Sequence, residues 1–171
     1  MTEPTAKIIE SPVGRLSITE AGGALVRIAW SDHEAGDRAG DPGARPGETP
    51  LLARAAEQLG EYFAGARRDF DLPLDPAGTP FQRRVWTEMA RIPFGATASY
   101  GALARELGSV ARAVGGACGA NPIPIVIPCH RVLARGGALG GFSGGAGVET
   151  KIALLELEGV RPREPDLFGE T

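Results

Sequence analysis

Residues 99–118 read SYGALARELGSVARAVGGAC, and this pattern of apolar residues, caps and glycines predicts two short helices joined by a tight turn. Ser99 is placed to cap the first helix. The apolar positions of that helix recur at helical spacing and are Tyr100, Leu103, Ala104 and Leu107. Gly108 and Ser109 interrupt the pattern, so we expect them to end the first helix and cap the second. This is the outline of a helix-turn-helix.

The second of these helices, predicted over Ala111–Cys118, carries mostly small, uncharged side chains. Five of its eight residues are Ala or Gly, and only one is charged. A glycine inside a helix costs about 1 kcal/mol relative to alanine, so the Gly115-Gly116 pair indicates that something approaches the backbone closely. A neighbouring helix and a nucleic-acid groove both fit this pattern. Cys118 fits a small core residue.

Composition and charge narrow the class of protein. The chain has 171 residues, two cysteines and a net charge of −3. It shows no secretory signal, no membrane-spanning run and no metal-ligand spacing of Cys and His, so we expect a globular cytoplasmic protein. Lys and Arg number 8 against 13 Asp and Glu in residues 1–78, 8 against 3 in residues 79–151, and 2 against 5 in residues 152–171. The middle segment can therefore attract a polyanion that the rest of the chain repels.

The first 78 residues predict a small α/β domain. Three β-prone runs separated by turn signals predict an antiparallel meander, over Ala6–Ser11, Arg15–Glu20 and Ala24–Trp30. Residues 32–50 are rich in Gly, Pro and charge, which predicts an exposed, poorly ordered loop. A helix is predicted from Leu51 to Ala64, and Arg68–Leu72 can add a strand. A linker follows, so we place a domain boundary near residue 78.

Residues 79–171 predict a second, mainly helical domain. Thr79, Pro80 and Gln82 match a helix N-terminus with a capping box. Beyond the helix-turn-helix, Arg135–Gly137 is expected to be the turn of a hairpin. The last helix is expected to end at Gly159, with an apolar stripe made of Val148, Ile152, Leu154 and Leu155. Together the two domains predict an α+β fold.

A cysteine and a histidine stand side by side in the apolar stretch of residues 125–133, IVIPCHRVL. Apolar flanks imply burial, where a charge such as that of Arg131 needs a partner. A His and an Arg beside Cys129 form a microenvironment that lowers the pKa of a thiol and gives a thiolate nucleophile. A core cysteine beside a structural histidine fits these residues equally well. Motifs elsewhere in the chain separate the two interpretations.

Several motifs in one order resemble the O6-alkylguanine-DNA alkyltransferases, also called methylated-DNA-protein-cysteine methyltransferases. Residues 128–132, PCHRV, match the active-site signature of that family. The resemblance covers about Phe81 to Gly159 and includes Tyr100, Asn121 and the RAVGG run from Arg112. It implies a ribonuclease H-like N-terminal domain, with a small antiparallel sheet and a helix, and a winged-helix-like C-terminal domain.

The resemblance implies direct-reversal DNA repair. Cys129 would attack the methyl group on O6 of a guanine in duplex DNA, and the thioether product would consume the protein in one turnover. The implied partner is double-stranded DNA containing alkylated bases, bound by a monomer, with no cofactor, metal or membrane. The residues do not decide whether O4-methylthymine or larger alkyl groups are accepted.

The resemblance also assigns roles to individual residues. His130 would act as base toward Cys129, and Glu158 would orient and stabilise the imidazolium. Tyr100 would assist guanine as leaving group, and Asn121 would hold the turn before the cysteine segment. DNA would be bound by Arg112, which fills the space of the extruded base, together with Ala111, Ala113, Gly115, Gly116 and Ser99. The substrate pocket would be lined by Tyr100, Val132, Phe142 and Ser143.

Two departures from the family bear on the substrate pocket. Phe142 stands where many members have Tyr, and the loop from Gly145 to Lys151 is longer than in common members.

Three other functions stay open. A cysteine hydrolase could use Cys129 and His130, a binding module could recognise alkylated DNA without repairing it, and a structural domain could hold an inert thiol. Turnover would mark the hydrolase, and absence of a preference for alkylated DNA would mark the structural domain.

Overall fold

The computed structural model describes residues 3–31, 43–142 and 144–161. The chain divides between two compact units, Met1–Ala77 with Pro122–Pro124 and Gly78–Asn121 with Ile125–Thr171. Within the described residues, the first unit holds a small sheet and one α-helix, and the second holds four α-helices and a short strand pair. The predicted α+β class is confirmed.

The sheet of the first unit contains the predicted meander and one strand that was not expected. Strands β1 (Thr5–Ile9), β2 (Leu16–Ala21) and β3 (Ala24–Trp30) pair antiparallel in sequence order. Strand β4 (Arg45–Pro46) pairs parallel to β1, so the sheet is mixed and its order is β3-β2-β1-β4. Residues 45–46 belong to the stretch predicted as a poorly ordered loop, and this part of the prediction is wrong. Residues 32–42 of that stretch lie outside the described part of the chain.

Helix α1 (Pro50–Phe63) supplies the other half of the first unit's core. The Thr49 side chain caps it by accepting from the Leu52 amide at 3.0 Å. Its buried positions include Leu52, Ala55, Leu59 and Tyr62. The strand predicted over residues 68–72 is wrong. Gln58 holds both backbone groups of Asp71, accepting from its amide at 2.9 Å and donating to its carbonyl at 3.2 Å, so those groups are not free for a sheet.

The second unit begins with the predicted capping box and helix-turn-helix. Helices α2 (Pro80–Ala90), α3 (Tyr100–Leu107) and α4 (Ala111–Gly119) follow one another, and Ser99 caps α3 as expected. Gly108 ends α3 in the left-handed conformation, with φ of +63°. Ser109 does not cap α4, because the helix begins at Ala111 and Ser109 lies one position before the N-cap; its amide bonds the Ala104 carbonyl at the end of α3. Val110 is the N-cap residue instead, and its side chain makes no capping hydrogen bond.

The rest of the second unit departs from the predicted hairpin. Strand β5 (Ala98–Ser99) pairs in parallel with β6 (Val132–Leu133), so the partner of β6 precedes α3 rather than following the turn. Residues Arg135–Gly137 do form a turn, with positive φ at Gly136 and Gly137, and the Ala134 amide donates to the Ala138 carbonyl across it at 2.7 Å. Helix α5 (Val148–Leu157) buries Leu154 and Leu155 completely, whereas Val148 is 39% exposed, so its predicted place in the buried apolar stripe is wrong.

Candidate active site

The reactive segment is a single 3₁₀ turn, Cys129–Arg131, that leads directly into β6. The amide of Cys129 donates to the Ile127 carbonyl at 2.8 Å, and Asn121 Nδ2 donates to the same carbonyl at 2.8 Å. Asn121 therefore ties the end of α4 to the approach of the cysteine. Cys129 as a residue is partly exposed, whereas His130 and Arg131 are buried.

The backbone leading to this turn adopts a rare conformation at Ile125. Its φ is +74°, in the left-handed region that β-branched residues seldom enter, and its side chain is 1% exposed. Such a residue costs on the order of 1–3 kcal/mol and persists only when the surrounding packing fixes it. The path into the cysteine turn is therefore held by burial of Ile125 rather than by local preference.

Glu158, the residue that caps the C-terminus of α5, gathers four donors on one fully buried carboxylate. Its Oε1 accepts from Arg131 Nε at 2.8 Å and from the Gly95 amide at 3.2 Å. Its Oε2 lies 2.6 Å from His130 Nε2 and accepts from Arg131 Nη2 at 3.0 Å. The remaining Arg131 nitrogen, Nη1, donates to the Ile92 carbonyl at 2.6 Å. The buried guanidinium thus has the partner that the sequence required.

The contact with Glu158 fixes the state of His130. A carboxylate only accepts, so Nε2 carries the proton and Nδ1 keeps its lone pair. Nδ1 is buried and bonds to no other described residue. The pKa of His130 lies below the ordinary histidine value. Burial is the largest cause; the hydrogen bond and charge of Glu158 raise the pKa, and the charges of Arg131 and Lys151 lower it. The ring is therefore neutral and can accept a proton at Nδ1.

The thiol is influenced by a cation that the sequence did not single out. Burial raises the pKa of Cys129, and the hydrogen bond from Asn121 and the charge of Lys151 lower it. The guanidinium of Arg131, which the sequence places near the thiol, is bound by Glu158. Lys151 is hard to find from sequence, since one lysine in an amphipathic helix ordinarily faces solvent.

Lys151 is completely buried in α5. Its Nζ donates to the Val132 carbonyl at 2.7 Å and to the Gly141 carbonyl at 3.3 Å, and it lies 5.8 Å from the centre of the Tyr100 ring. Burial lowers the pKa of Lys151, and the two cysteines raise it. Lys151 therefore joins three segments around the thiol, namely β6, the loop after it and the start of α3.

Tyr100 stands at the start of α3 with its ring half-buried. Burial, followed by the charges of Cys118 and Cys129, raises the pKa of Tyr100 to about 12, so its hydroxyl stays protonated and can donate. Gly140 lies close to the Tyr100 ring. A Cβ atom added at Gly140 would lie 3.1 Å from a ring carbon and 3.3 Å from the hydroxyl oxygen. Val132 is fully buried and Phe142 is half-buried, while Ser143 lies outside the described residues.

Helix α4 turns a nearly bare face to solvent. Arg112, Ala111 and Gly116 are exposed, whereas Ala113 and Gly115 are partly exposed. A Cβ added at Gly115 or Gly116 would meet no described atom within 4 Å beyond the adjoining backbone of its own helix. Packing against a neighbouring helix among the described residues is therefore not what requires these glycines. Ser99 is partly buried and uses its hydroxyl to cap α3.

The second cysteine sits on the opposite, packed side of α4. Cys118 is 7% exposed, and its Sγ lies 3.3 Å from Met89 Sδ. Burial, followed by the charge of Cys129, raises the pKa of Cys118 to about 12. It is an inert core thiol at neutral pH.

Two further observations concern metals and membranes. The described residues contain no group of three or more His, Cys, Asp or Glu side chains that could hold a metal ion. In the same part of the chain, every helix is too short or too polar to cross a lipid bilayer.

Fold and site together define a class of protein: an α+β chain whose helix-turn-helix unit carries a partly exposed cysteine beside a buried histidine–glutamate pair. Comparison of the sequence with known families agrees. Residues 80–160 match the 6-O-methylguanine DNA methyltransferase DNA binding domain, and residues 6–76 match the 6-O-methylguanine DNA methyltransferase ribonuclease-like domain. The chain belongs to the O6-methylguanine DNA methyltransferase family, as its motifs suggested.

Individual relatives span nearly the whole chain. The constitutive methylated-DNA–protein-cysteine methyltransferase of Bacillus subtilis is 42% identical over 158 residues, which are 91% of this chain and 95% of that protein. The methylated-DNA–protein-cysteine methyltransferase of Mycobacterium bovis is 43% identical over 169 residues, 95% of this chain and 97% of that one. A crystal structure of Mycobacterium tuberculosis OGT in complex with DNA is 41% identical, with a TM-score of 0.79 over 90% of this chain and 92% of that chain.

Proposed function

We propose that this protein repairs alkylated DNA by transferring a methyl group from O6-methylguanine in duplex DNA to Cys129, once per molecule. The observation that carries the proposal is the turn Cys129–Arg131, where a partly exposed cysteine precedes a histidine. Glu158 bonds Nε2 of that histidine and leaves Nδ1 without a partner among the described residues. That arrangement supplies a nucleophile and a base from two consecutive residues. Membership of the family supplies the substrate.

The chemistry is a single displacement at carbon. His130 Nδ1 takes the thiol proton, directly or through a water molecule, and the Cys129 sulfur forms a bond to the methyl carbon as the bond from that carbon to O6 breaks. The electron pair of the broken bond goes to guanine, which takes up a proton in return. The product is a thioether that no group in the site can hydrolyse, so the protein is consumed. The step needs no added cofactor.

The pocket residues assist departure of guanine. Tyr100 keeps its proton at neutral pH, because burial holds its pKa near 12, and can donate to N3 of the flipped base. Val132 and Phe142 line the same pocket, together with Ser143. Asn121 positions the cysteine turn through the Ile127 carbonyl.

Helix α4 is the DNA-reading element in this proposal. A stacked guanine cannot reach the thiol, so the base is extruded and Arg112 fills its place. The minor groove can approach closely because the side chains on this helix are small, at Ala111, Ala113, Gly115 and Gly116. Ser99 also binds DNA in this proposal. The M. tuberculosis relative in complex with DNA supports this partner. We further propose that a monomer acts in the cytoplasm, with residues 79–171 as the catalytic domain and residues 1–78 as a separate N-terminal domain.

The test is to incubate the protein with a duplex containing O6-methylguanine and to determine the mass of its peptides. We expect one methyl on the peptide containing Cys129, none on the peptide containing Cys118, and no transfer by Cys129→Ser. Cys118 is the built-in control for nonspecific methylation. Loss of many lesions per protein molecule would instead indicate a hydrolytic enzyme, and tight binding with unmodified Cys129 would indicate a recognition module.

A further inference from the structure

Helix α5 presents two buried charges on one face. Lys151 and Glu158 are seven residues apart, which is two helical turns and a rise of about 10 Å. Glu158 bonds the two residues after Cys129, and Lys151 bonds the carbonyl of Val132, the next residue along. One rigid helix thus sets an anion and a cation against the same short segment.

The two charges differ in how they are compensated. Arg131 binds Glu158 through two nitrogens, so that pair is close to neutral. Among the described residues, the ammonium of Lys151 contacts uncharged groups: the carbonyls of Val132 and Gly141 and the ring face of Tyr100. No carboxylate in the described part of the chain pairs with it. A fully buried ammonium without an anion is costly, which indicates that an anion is present at some stage of function.

We infer that Lys151 is a positioning residue for alkyl transfer, and that its ammonium is the counter-charge beside which the Cys129 thiolate forms. This inference rests on the proposed function. Before reaction the thiol is neutral and Lys151 lacks an ionic partner. Ionisation of the thiol places a negative charge within the electrostatic reach of the ammonium, and once the sulfur has taken the methyl it is neutral again.

The other ionisable groups around the thiol leave this role to Lys151. Tyr100 is a neutral phenol at physiological pH, and His130 is a neutral ring. Arg131 and Glu158 compensate each other. Cys118 competes poorly, because burial and the charge of Cys129 raise its pKa to about 12 and its sulfur packs against a methionine. Cys129 is the group left to become the anion.

The decisive variant is Lys151→Gln, which keeps an N–H donor for the carbonyls and removes the charge. Lys7→Gln is the matched control, because Lys7 forms a surface pair with Glu48 and its loss changes the net charge equally. Lys151→Arg retains the charge. For each protein, two rates are measured from about pH 6 to about pH 9, a range around the ordinary thiol pKa. One is methyl transfer from the O6-methylguanine duplex, and the other is iodoacetamide modification of the Cys129 peptide.

Removal of the ammonium destabilises the thiolate, so the pKa of Cys129 rises. At pH values below that pKa, both rates decrease. A rise of one unit makes them about tenfold slower near neutral pH. The deficit should narrow as pH rises, since the thiol then ionises without help and the wild-type lysine loses its own proton. Lys151→Arg should recover most of the rate, and Lys7→Gln should match the wild type.

A deficit of equal size at every pH would assign Lys151 to holding the Gly141 segment and would overturn the inference. Unchanged iodoacetamide rates in Lys151→Gln would do the same. Lys151→Met serves as a second neutral variant if the glutamine variant fails to fold, with circular dichroism reporting folding. Failure of the wild type to accept methyl would overturn the proposed function itself, while the iodoacetamide rates would still test Lys151.

Discussion

Glu158→Gln tests the buried carboxylate that organises the site. In either orientation of the glutamine amide, its NH₂ group faces one N–H of Arg131, since each carboxylate oxygen accepts from that guanidinium. The variant therefore leaves a buried cation without its anion and at least one donor without an acceptor. Removing one partner of a buried pair costs about 3–5 kcal/mol. That is a large share of the roughly 5–15 kcal/mol that stabilises a typical protein.

The measurement is equilibrium unfolding in urea, followed by circular dichroism, for the wild type, Glu158→Gln, Arg131→Met and the double variant. The double variant should be more stable than Glu158→Gln alone, because it buries no unpaired guanidinium. A cost below about 1 kcal/mol for Glu158→Gln would refute the account of the pair as buried and ionic. Additive costs in the double variant would refute the coupling between the two side chains.

Two further substitutions separate DNA recognition from the pocket. Arg112→Ala should slow methyl transfer from duplex DNA far more than transfer from the free base O6-methylguanine, because Arg112 is exposed on α4 and is proposed to act in base extrusion. Equal slowing of both, measured as single-turnover rates, would contradict that role. Gly140→Ala should slow both substrates alike and lower thermal stability, because φ at Gly140 is +66° and the new Cβ would press on Tyr100. Unchanged rates in Gly140→Ala would show that the Tyr100 position is not critical.

Local sequence signals predicted most of the second unit. The capping box at Thr79, the cap at Ser99 and the left-handed glycine at Gly108 each depend on interactions within a few residues, and all three are present. Ser109 failed as a cap because α4 begins one residue later than its position requires, with Val110 as the N-cap.

Predictions failed where distant parts of the chain decide. Gln58 occupies the backbone of Asp71, so the strand predicted there does not form. Strand β6 pairs with β5, which lies more than thirty positions earlier, so local turn signals indicated the wrong partner. The family resemblance named Cys129, His130 and Glu158. It did not name Lys151, whose burial depends on tertiary packing that a short sequence pattern does not show.

The open space over Gly115 and Gly116 separates folding from recognition on α4. Alanine at either position would meet no described atom outside the adjoining helix backbone and would favour the helix by up to about 1 kcal/mol. Selection for thermal stability alone would therefore replace these glycines, while selection for access to a groove would keep them. A laboratory evolution experiment under heat, without DNA damage, should make this helix more stable and the protein a poorer repair agent.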